Sequence, residues 1–261
     1  MAVVEIACDE SGYEGEKLVG GVTDVFAHAA VTIDEDAAAR CIAELRERIR
    51  SPATVYKANH VLRSKHRPVL LWLLGSSGPL FGQAQVYLVD KAFFLVSRLV
   101  GFLADGNVSA NDLYAAARST GGSGWDGFLA AANDELRVKD LPDAMPPLDP
   151  LMPAIVRAVE YWSGSGQPVA IAHDRQTTLS QERINQLKQL TPPGSFAGLE
   201  LVDSFTHPRV QVADFLAGVA RKVASDQLRG NDDAELTALL RPYVDPLSVW
   251  GDEPSWSRLA P

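Results

Sequence analysis

Cysteine is almost missing from this chain, with only Cys8 and Cys41 among 261 residues. Two such cysteines make neither a disulfide framework nor a metal-ligand spacing, so a reduced, cytoplasmic protein is the simplest expectation. Cys8 lies in an apolar run and reads as a small buried hydrophobe rather than a reactive thiol. Cationic residues are scarce as well: 24 Lys and Arg against 33 Asp and Glu leave a net charge of −9. That balance excludes a broad basic surface able to displace counterions from nucleic acid, though not a local patch. Long apolar runs are missing. The most apolar stretch, Phe93 to Ala104, is too short to span a bilayer and contains Arg98. The start carries no basic segment followed by an apolar one, so neither a membrane partner nor a secretory leader is expected. Two catalytic signatures are also lacking, the Gly-x-Ser-x-Gly elbow and the phosphate loop ending in Gly-Lys-Ser/Thr. Gly122-Ser123-Gly124-Trp125-Asp126-Gly127 spells the dinucleotide fingerprint but follows a helical segment instead of a strand, which makes the match accidental.

What the chain does have is an apolar opening, Val3 to Cys8, that ends on Asp9-Glu10-Ser11-Gly12. A short run with β-branched residues reads as a buried strand. A strand that delivers acids to its own end leaves charge where water is scarce, and such charge calls for a metal, a cationic partner or a proton. The plainer reading is that Asp9 starts a turn. The same ending recurs at Asp90, after Gln83 to Val89, at Asp174, after Pro168 to His173, and at Asp203, after Leu199 to Val202.

Between these strands the pattern turns helical. Val22 to Ile33 predicts one or two strands with a weakly polar second face, and Asp34 caps a helix over Glu35 to Arg50. Tyr56 to Arg67 gathers Lys57, Arg63, Lys65 and Arg67 in an otherwise acidic molecule. It is either an anion-binding patch or a solvated face. Helices are expected at Pro68 to Leu74, Ala92 to Ala104, Asn111 to Arg118, Gly127 to Val138, Met152 to Trp162 and Leu179 to Leu190. Residues of about 105 to 162 read as a helical insertion within one domain. Val210 to Val223 is strongly helical, with Gln211, Asp214, Gly218 and Arg221 off its apolar stripe. Asp214 there is either a ligand or an ion-pair partner of Arg221. A helix from Asp233 to Leu240 follows, and the Pro/Trp-rich tail hints at a partner surface.

In open α/β folds ligands gather beyond the carboxyl ends of the strands. Several acids without a Cys/His set suit Mg²⁺ or Mn²⁺, and such ions serve phosphodiester cleavage.

These residues resemble the DUF3800 proteins, a widespread prokaryotic family assigned a ribonuclease H-like fold and regarded as metal-dependent nucleases. The resemblance rests on Asp9-Glu10-Ser11-Gly12, Asp90-Lys91, Asp174, and Asp203 followed by Gln211-Val212-Ala213-Asp214-Phe215-Leu216-Ala217-Gly218. It implies a ribonuclease H-like α/β fold over residues 1–261, with a mixed sheet and helices on both faces. It also implies Asp9, Asp90, Asp174 and Asp214 as ligands of Mg²⁺ or Mn²⁺, with Asp9, Glu10, Lys57 and Lys91 in the catalytic machinery. Lys57, Arg63, Lys65, Arg67 and Gln211 are the candidate substrate contacts. The expected substrate is a nucleic acid or nucleotide, and a homodimer is left open. One departure stands out: Val55 occupies a position where the family usually carries Glu, two residues before Lys57. Glu10 is the candidate substitute; otherwise the chain holds one ion, or is weakened or inactive. Hydrolysis of a small phosphorylated compound, and a non-catalytic binding or regulatory role on the same fold, are the competing readings.

Overall fold

A computed structural model describes residues 2–50, 58–103, 108–120, 122–137 and 147–261. Five strands form one sheet: β1 Val4–Ser11, β2 Val25–Val31, β3 Ala84–Asp90, β4 Val169–Asp174 and β5 Phe196–Val202. Their order across the sheet is β3-β2-β1-β4-β5. Strand β2 runs antiparallel to both β1 and β3, while β1, β4 and β5 are mutually parallel. This is a mixed sheet in an α/β fold, as expected from the sequence. The carboxyl ends of β1, β3, β4 and β5 therefore share one rim.

Alternation along the strands divides the core in two. Ala7 of β1 and Ala27 and Ala29 of β2 pack in one cluster with α1 Glu35–Ile49, α3 Arg67–Leu74 and α9 Pro208–Leu228. Ile6, Cys8 and Phe26 pack on the other side with α4 Lys91–Leu103, α6 Ser123–Arg137, α7 Leu151–Trp162 and α8 Gln181–Leu190. Cys8 is fully buried. Strand β2 departs from expectation, because neighbours on both edges and helices on both faces bury all of it, His28 included. Asp34 caps α1 as its sequence position suggests, accepting from the Ala37 amide at 2.7 Å.

The basic segment resolves into a short helix α2, Ala58–Val61, and a 3₁₀ turn, Ser64–His66, before α3. Helix α5, Ala110–Thr120, precedes α6, so the accidental glycine motif lies across the start of a helix that follows another helix. The final segment is not a free surface. After α10, Ala234–Leu240, it runs beside the otherwise open edge of β3, where Asp245 and Val249 amides donate to Val86 and Leu88 carbonyls at 2.8 Å each. Trp250 is buried in the core, and the chain closes in α11, Glu253–Leu259, which the sequence pattern did not suggest. Among the described residues no helix is long and apolar enough to cross a membrane.

Candidate functional site

Asp9 follows Ala7 on the face covered by α9, and Asp174 follows Ala172 on the same face of β4. The parallel register pairs Cys8 with His173, so one further step sets Asp9 beside Asp174 on neighbouring strands, roughly 4.8 Å apart along the hydrogen-bonding direction. Helix α9 lies across these strands and brings Asp214 to them. Small residues permit that approach. Ala213, Ala217 and Gly218 are fully buried or nearly so, and a Cβ on Gly218 would come within 2.2 Å of the Ala58 Cβ of α2.

Asp9 is 5% exposed. Burial pushes its carboxyl well above the usual aspartate range, and the charges of Glu10, Asp214 and Asp174 push it further. The Glu10 amide, donating to Asp9 Oδ1 at 2.7 Å, offsets this only in part. Asp174 is oriented by the Ser204 amide, 3.0 Å from its Oδ1. Asp203 holds the next turn, its Oδ1 accepting from the Phe205 amide at 3.0 Å. Asp9 thus holds its proton tightly beside the carboxylates of Asp174 and Asp214, and oxygen donors of this kind suit Mg²⁺ or Mn²⁺. The donor chemistry fits, but the side chains do not form a closed cage as they stand: among the described residues no three His, Cys, Asp or Glu are arranged to hold an ion.

The other expected site residues fall elsewhere. Glu10 is on the opposite face of β1, where Gln176 Nε2 donates to its Oε1 at 2.5 Å and His173 Nε2 stands 3.7 Å from Oε2. It therefore points away from Asp174 and Asp214, against its expected role as a substitute ligand. Asp90 is not brought to the aspartate group. The register sets Asp9 level with Ala29 and Val86, four residues short of Asp90 on β3 and two strands away. That is about 13 Å along the strand alone. Asp90 instead caps α4, accepting from the Ala92 and Phe93 amides at 3.1 and 3.2 Å and from the Tyr114 hydroxyl.

Lys91 is 1% exposed and cannot reach a substrate phosphate as placed. Its Nζ donates to Glu14 Oε1 at 3.1 Å and to Thr23 Oγ1 at 2.6 Å, tying down the loop between β1 and β2. Burial works against Glu14, but Thr23 and Lys91 hold its carboxyl down at about 2. Arg67 reaches away to α10, with Nε 2.8 Å from Asp233 Oδ2 and Nη2 2.6 Å from Glu235. Gln211 Nε2 donates to the Phe205 carbonyl at 3.0 Å, and Arg221 Nε donates to Ser11 Oγ at 3.0 Å. Arg63 and Lys65 are exposed on the turn before α3. Lys57 and Val55 lie outside the described residues.

Sequence reasoning missed the polar nest behind Asp9 and Asp174. His28 and His173, both fully buried, stack at 5.5 Å on the Glu10 face, and burial keeps the His28 imidazole neutral. The signal was available: both histidines share parity with the core residues Phe26 and Ile171 of their strands.

No known family model matches the chain, and no curated protein matches its sequence. One solved structure to which the chain is similar is the PCNA:RNase HII complex from Archaeoglobus fulgidus, a chain of which is 13% identical. The alignment covers 99% of this chain and 92% of that one, with a TM-score of 0.41. So distant a likeness carries nothing about chemistry.

Proposed function

We infer that the rim formed by β1, β4 and α9 is a divalent-metal site for phosphodiester hydrolysis of nucleic acid, as expected of a DUF3800-like protein. The observation that supports it best is Asp9, buried beside Glu10, Asp214 and Asp174, whose charges raise its proton affinity. Asp9, Asp174 and Asp214 would hold Mg²⁺ or Mn²⁺. When bound, the ion supplies a Lewis acid for a phosphoryl oxygen and lowers the pKa of a water.

The chain's own contribution is placement. The Glu10 and Ser204 amides fix one oxygen each of Asp9 and Asp174, and the small face of α9 lets Asp214 approach a rim that the sheet keeps rigid. Glu10, His173 and Gln176 brace the strand ends from behind. Lys91 orders the loop beside the site through Glu14 and Thr23 rather than touching phosphate.

A second reading, hydrolysis of a small phosphorylated compound, is favoured by the fate of the arginines. Arg67, Arg157, Arg183 and Arg229 are engaged with carboxylates, which leaves fewer cations for a polyanion. Calorimetric titration with Mn²⁺ tests the metal site common to both readings. The wild type should bind one or two ions, and Asp9→Asn and Asp214→Asn should each lose binding while keeping native circular dichroism. No binding at millimolar Mn²⁺ overturns both. Cleavage of single-stranded RNA or DNA, against release of phosphate from nucleotides, then separates them.

A further inference from the structure

A second concave site opens on the same rim, away from the three aspartates. The loop after β1, helices α5 and α6 and the end of α9 border an open cleft of about 570 Å³, a size ordinary for a small-molecule site. Trp125 lines it with a half-buried ring, backed by Phe128 at 5.5 Å in a near-parallel stack. Its floor is the fully buried Asp90, which receives the Tyr114 hydroxyl, and Arg118 donates to that same phenol oxygen at 3.2 Å.

The charge of the lining decides what the cavity can hold. Its carboxylates are Asp24, Asp90 and Asp126; its guanidinium groups are Arg118 and Arg229. Both guanidinium groups are already engaged. Arg229 Nε lies 2.7 Å from Asp24, and Arg118 reaches the Tyr114 hydroxyl, the Leu228 carbonyl at 3.1 Å and Asp252 at 3.7 Å. A phosphate would meet net negative charge and committed cations. Asp24 and Asp90 are committed as well, to Ser225 and Arg229 and to Tyr114 and two amides, so a neutral flat ring bearing N–H donors would meet an aromatic platform and the exposed carboxylate of Asp126.

Helix α9 joins this cavity to the aspartates. Asp214 is near its start and Arg229 caps its end, a rise on the order of 20 Å. Between them Arg221 is anchored on Ser11, two residues beyond Asp9.

We propose that the Trp125 cavity binds an unstacked nucleobase of the strand whose backbone lies at the aspartates. The choice of a base as occupant rests on the nucleic-acid reading of that site; the cavity, its platform and its charge do not. Stacking on an aromatic ring tolerates any base, so selectivity would come from the N–H donors that face Asp126.

The test uses the full chain in EDTA, so that it does not depend on a metal. Neutral nucleosides, their 5′-monophosphates, inorganic phosphate and a neutral disaccharide are titrated by calorimetry against the wild type, Trp125→Ala and Ala130→Trp. Ala130 is exposed on the cavity wall, so its replacement fills the space without disturbing the core. Nucleosides should bind saturably, phosphate should not compete, and each variant should weaken binding about tenfold or more. If Trp125→Ala unfolds, Ala130→Trp alone decides. The proposal falls if no nucleoside binds, if phosphate or the disaccharide binds in its place, or if filling the cavity changes nothing. Nucleoside binding by a wild type that takes up no Mn²⁺ would remove the nuclease reading and leave a base-binding protein.

Discussion

Asp90 shows at the scale of one residue how a carboxylate can be fully buried without a metal. Burial raises its pKa from 3.8 to about 6, while the Tyr114 hydroxyl, the Phe93 and Ala92 amides and the Arg118 charge pull it back. The folded chain therefore keeps a proton that the unfolded chain releases. This group's contribution is fully present below the ordinary value of 3.8 and is lost as pH rises through about 6. A shift of that size is worth on the order of 3 kcal/mol. Denaturant midpoints across this window should fall for the wild type relative to Asp90→Asn, and parallel curves would refute the assignment. Tyr114→Phe removes the phenol donor and leaves a buried oxygen short of a partner, at a cost of about 1–3 kcal/mol. Lys91→Met tests the other buried group. As a loop staple its loss should destabilise the fold by about 2–3 kcal/mol, toward the low end for broken buried pairs because Glu14 keeps some solvent. It should leave Mn²⁺ binding nearly unchanged. A lysine that touches substrate would instead lower activity in a protein of normal stability.

At the scale of elements, the site depends on how closely α9 can lie on β1 and α2 on α9. Gly218→Ala would set a Cβ 2.2 Å from the Ala58 Cβ, so α2 has to move. The expected cost is about 1–3 kcal/mol, measured by urea unfolding, and Mn²⁺ binding should weaken because the same helix carries Asp214. An unchanged midpoint would mean that α2 yields freely. The sequence made much of this legible. Short apolar runs marked the strands, and the aspartate endings of four of them marked the rim. It could not show which strand-end acids meet, because that depends on register: Asp174 and Asp90 both end strands, but only β4 aligns its last residue with Asp9. It could not show that Glu10 faces backward, although parity with Ile6 and Cys8 implies it once β1 is known to be buried on both faces. The tail was misleading for a related reason. Its tryptophans look like an exposed patch until β3 is seen to be an edge strand in need of cover.

For the whole molecule the proposed function raises the question of how a chain of net charge −9 would engage a polyanion. Several of its arginines are tied to carboxylates across long separations: Arg67 to α10, Arg157 to Asp245, Arg183 to Asp149 and Arg229 to Asp24. These pairs serve the fold and are poorly placed to replace counterions. The attraction for a strand would then come from the metal ions at the rim and from stacking at Trp125, not from a basic face. Counterion release fixes the expected signature, because the salt dependence of affinity counts the phosphates neutralised by side chains. Fluorescence anisotropy with a labelled single strand in Mn²⁺, followed across salt concentration, should give a shallow slope of magnitude below about 3. Replacing Mn²⁺ with EDTA should abolish most of the affinity, and Trp125→Ala should weaken it without changing the slope. A steep slope that persists in EDTA would mean that Arg63, Lys65 and their neighbours present a true phosphate-binding face, and that the acids at the rim are not what draws the strand in.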